Sequence, residues 1–304
     1  MLVSIVICNY NTADFLERCL RSVLSLQVSS PMEVIVVDNH SPDHSVAMLR
    51  EKFPQIRLIA NAENRWMTGG YNDGIKASRG DFICLLEPDT VIDPSAVQKM
   101  IDFMQEHPRY GMVSCKTFLG DGSMVRACSK DYPYALALLS YTFLGKIFSG
   151  KKQAILADFR YGDWDRMDTR EVEVVYAHCI LIRRAAYEAA GAFDETFRLY
   201  YSENDLCRRY REKGWRSGYV AQAEVVHHER QSVARSGVQR IAKIYQEDIL
   251  SYYRKYHGPV PALFLGALIG VSNLIYSVKE MKAARVLSTF LTTPKNNREN
   301  VTKR

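Results

Sequence analysis

The opening of this chain alternates short apolar runs with helix-like segments, and nothing else in the sequence restricts its fold as tightly. Residues 3–8 (VSIVIC), 34–37 (VIVV) and 82–86 (FICLL) are apolar at nearly every position. Runs apolar on both faces suit parallel strands covered by helices. Between the first two, residues 13–26 place Phe15, Leu16, Cys19, Leu20, Val23 and Leu24 on one helical face. Residues 45–52 read as a second, shorter helix. Strand–helix alternation at this spacing implies right-handed crossovers in an open, mostly parallel α/β sheet flanked by helices. Ligands of such sheets bind outside the carboxyl ends of the strands.

Further along, a helix is expected from Asp93-Pro94 to about His107. Residues 120–170 mix Gly, Asp and aromatic residues without a regular period, which suggests a loop or lid. Regular patterning resumes with a strand at 173–182, a helix at 205–213 closed by Gly214, and a strand at 220–227. Residues 238–256 are helix-like. Residues 259–278 are then largely apolar, with interruptions at Gly266, Gly270, Ser272 and Asn273. About 20 residues is near the length that spans a bilayer, but the interruptions and the prolines at its start favour a helix lying on a membrane surface or forming a homo-oligomer contact, with an ordinary core-packed helix as the alternative. The basic residues after it (Lys279, Lys282, Arg285, Lys295, Arg298, Lys303, Arg304) favour an anionic, cytoplasmic membrane face.

At 304 residues with 47% apolar and 24% charged positions, the chain can bury a sizeable core, which excludes disorder as its main state. The net charge of +6 is spread along the sequence. There is no basic helix interleaved with aromatics and no zinc-finger spacing, so no nucleic-acid partner is expected. The seven cysteines form no CxxC pair and several sit in apolar runs, as expected for free thiols in a reducing, cytoplasmic setting. The first residues enter a strand-like pattern without a basic leader, unlike a signal peptide.

Four motifs carry chemistry. Asp38, in VDNHSPD, follows the second strand, where a carboxylate can accept from a nucleobase N–H or a ribose hydroxyl; a self-capped turn is the alternative. The stretch NRWMTGGYNDG at 64–74 holds Gly69, Gly70 and Gly74 around Asn72, which allows close backbone approach to a ligand and a bond to a hydroxyl or phosphate. A Gly-rich helix start without a ligand is the alternative. It is not a GxGxxG fingerprint and follows no clear strand, which disfavours a nicotinamide enzyme. In LLEPDT at 85–90, Glu87 and Asp89 flank Pro88 and end an apolar strand abruptly. Two such oxygens suit a hard divalent cation, Mg2+ or Mn2+, although Asp89 can also simply cap a turn. LYYSENDLC at 199–207 puts Glu203 and Asp205 near a helix start, where either can serve as a general base and Asp205 equally as a cap.

Taken in this order, with VSIVICNYN at the start and CILIRRAAYEAAGAFDETFRLYYSENDLCRRYREKGW and AEVVHHERQS later, the motifs resemble family 2 glycosyltransferases with a GT-A fold, closest to a rhamnosyltransferase-like branch. The resemblance covers about residues 1–235. It implies a nucleotide-sugar-binding half (1–95), an acceptor-binding half (96–235) and a helical C-terminal extension (236–304). It also implies that Asn9, Tyr10, Gly70 and Asn72 line the nucleotide-sugar pocket, that Asp38 contacts the nucleobase, and that Asp89 is the metal-binding acid, with Glu87 and His227 beside it. Glu203, with Asp205 as runner-up, is the implied base of an inverting transfer. The donor the resemblance implies is dTDP-rhamnose or a UDP-sugar, and the acceptor a hydroxyl on a glycan or lipid-linked glycan in cell-surface polysaccharide synthesis. Four departures stand out, the first being Glu87 in place of the Asn of the usual Asn-Pro-Asp metal motif, which adds a candidate ligand. Glu203 replaces the usual Asp, Trp66 stands where Gly is common, and His178 replaces a small residue and is expected to narrow the acceptor side. Arg183 and Arg184 read as a solvated helix start. A catalytically impaired nucleotide-sugar-binding protein of the same fold is the alternative reading.

Overall fold

The alternating start folds as β1 (Val3–Asn9), α1 (Ala13–Leu24), β2 (Met32–Asp38), α2 (Ser45–Lys52), β3 (Arg57–Ala60), α3 (Trp66–Ala77) and β4 (Phe82–Leu86) in a computed structural model describing residues 1–228 and 238–275. These strands are parallel in the order β3-β2-β1-β4. α1 buries Leu16, Cys19, Leu20 and Val23 against the sheet, each contributing roughly 1.5–3 kcal/mol when fully removed from water. Short β3, whose residues are partly or fully exposed, has no apolar run to announce it. It supplies the strand before α3 that the sequence did not reveal.

The sheet continues through β5 (Thr90–Ile92), α4 (Ala96–Glu106) and β6 (Tyr110–Leu119). Next come β7 (Met124–Val125), β8 (Cys128–Ser129), α5 (Tyr134–Tyr141), α6 (Leu144–Ile147) and α7 (Ser149–Phe159). The stretch expected to be loop or lid therefore contains three helices. Their apolar residues face one another and the extension rather than a sheet, so no clean amphipathic period marks them. The chain proceeds through β9 (Arg170–Val172), β10 (Val174–Val175), β11 (Cys179–Arg183), α8 (Arg184–Ala190), α9 (Ser202–Glu212) and β12 (Arg216–His227). The full order is β3-β2-β1-β4-β11-β6-β12-β5, with β11 antiparallel to β4 and β6, and β12 parallel to β6. The single strand expected at 173–182 is thus two. β10 pairs with β8 in a separate ribbon while β11 enters the main sheet.

After a segment outside the described residues (229–237, which includes the end of the AEVVHHERQS motif), α10 (Val238–His257) and α11 (Pro259–Ile275) form the helical extension. They enclose a tyrosine-rich core in which Tyr132, Tyr141, Tyr201, Tyr245, Tyr252 and Tyr253 surround Leu265 and Ile269. Buried phenols need partners. Tyr141 and Tyr201 share a 2.8 Å hydrogen bond, and Tyr201 donates to Tyr245 at 3.1 Å. α11 buries Ala262, Leu265, Ile269 and Ser272 but leaves Val260, Leu263, Phe264, Leu274 and Ile275 more than half exposed. No described helix is long and apolar enough to cross a membrane. Residues 276–278 and the basic tail lie outside the described residues.

Candidate active site

The register of β1 and β2 sets Asn9 beside Asp38 at their carboxyl ends. Asp38 is buried and accepts from the Asn9 amide at 2.8 Å, the Ser41 hydroxyl at 2.7 Å and the Ser41 N–H at 2.9 Å. Asn9 in turn accepts from the Thr12 hydroxyl at 2.7 Å. The carboxylate is therefore held in one orientation, and half-buried Tyr10 follows Asn9 on the same edge. The Trp66 carbonyl accepts from Asn39 Nδ2 at 2.6 Å, so the start of α3 is stitched to the end of β2. Trp66 has φ +60°, in the region that favours glycine. Its ring carries the guanidinium of Arg198 at 5.7 Å and that of Arg240 at 4.7 Å.

Gly70 and Asn72 act on packing. A Cβ on Gly70 would lie 2.3 Å from Cys8 Sγ, and one on Gly74 2.3 Å from Val6 Cγ1, so these glycines seat α3 against β1. Asn72 donates to the Phe193 carbonyl and to Glu195, and accepts from the Phe193 N–H. Its amide clamps the 193–195 loop.

The acidic centre forms where β4 ends. Glu87 and Asp89 both contact His227, whose Nε2 lies 3.0 Å from Glu87 Oε2 and 3.2 Å from Asp89 Oδ1. His178 joins them because β11 runs antiparallel beside β4, pairing Cys179 with Leu86. The His178 and His227 rings are 4.5 Å apart, and ligand atoms of Glu87, His178 and His227 fall within 4.8 Å of one another. Burial works to raise the Glu87 carboxyl, but the His227 hydrogen bond and the two histidine charges outweigh it and hold it at about 2. Burial opposes the charge on His227 as well, yet its bonds to Asp89 and Glu87 lift it to about 10. His178 is driven down to about 4 by burial and by the His227 charge. One protonated imidazole thus sits between two carboxylates, and Nδ1 of both histidines is buried without a partner. A divalent cation placed among these oxygens and nitrogens would replace the Nε2 proton, so the residues fit such an ion. His178 carries no local motif. Only the strand pairing brings it to the centre, which is why sequence reasoning assigned it to the acceptor side.

Glu203 sits in the first turn of α9, after Tyr201 at φ +61°. It accepts from the Ser202 hydroxyl at 2.8 Å. Burial, with the Glu87 charge adding, pushes its carboxyl up to about 7 against the Ser202 hydroxyl and the backbone N–H groups of Glu203 and Ala177. Asp248 on α10 accepts from the Leu199 and Tyr200 N–H groups at 3.1 and 3.0 Å, fixing the approach to this turn. Asp205 is fully buried and differently engaged: it accepts from Arg209 at 2.8 Å, Lys255 at 2.5 Å and Tyr256 at 2.6 Å. Those three donors make it an anchor, whereas Glu203 accepts from a single side chain, the Ser202 hydroxyl. Arg183 and Arg184 are not a solvated helix start. They are half-buried and donate to the carbonyls of Met104, Tyr110 and Gly80.

A sequence profile described as "Glycosyl transferase family 2" matches residues 4–191. An N-acetylglucosaminyl-diphospho-decaprenol L-rhamnosyltransferase of Mycobacterium tuberculosis is 28% identical over 262 residues, covering 79% of this chain and 80% of that protein. The O-antigen biosynthesis protein RfbC of Myxococcus xanthus is 27% identical over 84% of this chain, which spans 19% of that longer protein. Among solved structures, the mannosyltransferase PcManGT from Pyrobaculum calidifontis, in complex with GDP-Man and Mn2+, shares the fold with a TM-score of 0.56. It is 16% identical, covering 94% of this chain and 78% of that one.

Proposed function

The chain belongs to glycosyl transferase family 2, and from that premise we propose that it moves a sugar from a nucleotide-sugar donor to a hydroxyl of a glycan or lipid-linked glycan, inverting the anomeric centre. The observation that carries the reading is Glu203, an acid poised near neutrality whose carboxyl senses the charge of Glu87 in the acidic centre. Glu203 takes the proton of the acceptor hydroxyl. The oxygen attacks the anomeric carbon, and the nucleoside diphosphate leaves with the electron pair of the broken C–O bond. Asp38, oriented by Asn9 and Ser41, and Tyr10 hold the nucleoside. Glu87, Asp89, His178 and His227 would hold Mg2+ or Mn2+, which when bound supplies charge neutralisation for the departing diphosphate. The donor is dTDP-rhamnose or a UDP-sugar; the relative's name supports a rhamnosyl group as the sugar moved and a sugar on diphospho-decaprenol as the kind of acceptor. A binding-only role draws no support from Glu203, whose raised pKa suits a working base.

The exposed apolar face of α11, with Ile147 and Phe148 exposed beside Lys146 and Lys151, supports peripheral contact with an anionic membrane, where a lipid-linked acceptor resides.

The test is a thermal-shift panel of dTDP, UDP, GDP and CDP with Mn2+, repeated in EDTA and with Asp89→Ala. Stabilisation by one nucleotide that needs both metal and Asp89 supports the reading. The matching sugar nucleotides then give turnover in wild type and about 10² to 10⁴ less in Glu203→Gln. No stabilisation by any nucleotide overturns it.

A further inference from the structure

Two phenols beside the acidic centre make no hydrogen bond through their hydroxyls among the described residues. Tyr71 on α3 is 1% exposed, with its ring stacked on Phe193 at 6.0 Å. Tyr200, in the turn before α9, is half-buried. Asp248 holds its N–H, and its ring lies 4.3 Å from that of Tyr245. A buried hydroxyl without a partner is costly unless a ligand completes it.

The strands and α9 bring both acids of the site to the face that Tyr71 covers. Tyr71 packs in one cluster with Val6, Leu85, Ile180 and Leu206. Leu85 and Ile180 are paired across β4 and β11, and the Glu87 N–H still donates to the His178 carbonyl at 3.3 Å, so the ladder runs past the strand ends. Side chains alternate along a strand, which sets Glu87 and His178 on the same face as Leu85 and Ile180. On α9, Leu206, Cys207 and Tyr210 cover that face, and Glu203 begins their stripe one turn earlier. Burial first, and the charges of Glu87 and Glu203 after it, hold the Tyr71 phenol well above its ordinary value. Tyr200 is raised in the same way, with the Asp248 charge ahead of those two. Both phenols therefore keep their protons and can donate.

An inverting transfer sets the attacking oxygen and the leaving diphosphate on opposite sides of the anomeric carbon. With Glu203 as base for the first and Glu87 in the centre proposed for the second, the sugar in transit lies between these two acids, where both phenols face. We infer that Tyr71 and Tyr200 flank the transferred sugar of the donor and donate to its oxygens, which makes them binding residues for the sugar and not for the nucleotide. This rests on the transferase reading above and adds the residues that select the sugar.

The experiment is titration calorimetry of the full chain with Mn2+, comparing dTDP with dTDP-rhamnose, UDP with UDP-glucose and GDP with GDP-mannose. The pair that wild type binds is then carried through Tyr71→Phe and Tyr200→Phe. Phenylalanine keeps each ring contact and removes only the hydroxyl, so both variants are expected to fold. Each should bind the nucleotide sugar about three- to tenfold more weakly, the worth of one neutral hydrogen bond, and the nucleoside diphosphate as wild type does. Without ligand, Tyr71→Phe should melt no lower than wild type, because the hydroxyl it loses has no partner in the protein. Unchanged affinity for the nucleotide sugar in either variant overturns the pair. An equal loss for the nucleoside diphosphate does so too, as does a lower ligand-free melting temperature in Tyr71→Phe. A wild type that binds a nucleoside diphosphate but none of the nucleotide sugars overturns the pair alone. Failure of every nucleotide overturns the transferase reading, and the pair with it.

Discussion

Lys255 on α10 places Nζ 2.5 Å from Oδ1 of Asp205 on α9, two residues beyond Glu203. Two acids only two residues apart thus have opposite environments. Asp205 is neutralised by Lys255, Arg209 and Tyr256, while Glu203 receives one hydroxyl, backbone N–H groups and a neighbouring negative charge. Asp205→Asn is expected to destabilise the fold by about 3 kcal/mol, because it strips a fully buried partner from two cations. Urea denaturation reads the loss. The folded fraction should keep activity within about tenfold of wild type, since Glu203 is the proposed base.

Glu203→Gln should leave the fold intact and lower kcat by about 10² to 10⁴, the range of a lost general base. A loss under tenfold would transfer the role to another residue.

The pH dependence follows from the raised pKa of Glu203. A base must be deprotonated, so kcat/KM should climb about tenfold per pH unit below about 7 and level off above it. Stability runs the other way. The folded state favours the protonated acid, so this contribution is full below the ordinary carboxylate value and is lost as pH rises through about 7. Glu203→Gln should therefore melt higher than wild type at pH 8, and the gap should close towards pH 5.

Asp89→Ala and His227→Ala should each abolish stabilisation by Mn2+, and His178→Ala should weaken Mn2+ binding by about 10- to 100-fold. Calorimetric titration with Mn2+ checks all three. Full Mn2+ affinity in His227→Ala would remove His227 from the ligand set.

Gly70→Ala should cost about 1–3 kcal/mol, as the new methyl meets Cys8 Sγ at 2.3 Å and Asn39 Nδ2 at 2.8 Å. Adding Cys8→Ala should recover part of it, and denaturant midpoints of the single and double variants give the coupling.

Replacing Leu263 and Phe264 by Glu should reduce flotation with anionic vesicles without lowering the melting temperature, since both side chains are more than half exposed.

The strands that are apolar on both faces were legible because their residues have no polar alternative. Residues 82–86 and the helix at 45–52 appear with the expected bounds. β6 was overlooked although it lies at the centre of the sheet. Its Ser114, Lys116 and Thr117 are buried, and polar residues in a buried strand break the pattern that identifies one. Asp38, Glu87, Asp89 and Glu203 were legible because acids at strand ends and helix starts stand out against apolar neighbours. His178 was not, since its place depends on β11 pairing with β4, far apart in the chain. The substitution of Trp for Gly at residue 66 was visible, but its conformational meaning was not. The φ of +60° explains why glycine suits that position, and the Asn39 and Asn64 bonds hold Trp66 there instead.

The grip of Asp248 on the Leu199 and Tyr200 N–H groups bears on how such proteins diversify. Residue 248 lies well past residue 191, where the family profile stops, yet it holds the backbone that leads into the turn of the proposed base. A tail of this kind is not an interchangeable cartridge. Swapping it between relatives would disturb the catalytic turn unless an acid at 248 and the 199–200 loop travel together, so the two segments are expected to be inherited as a unit.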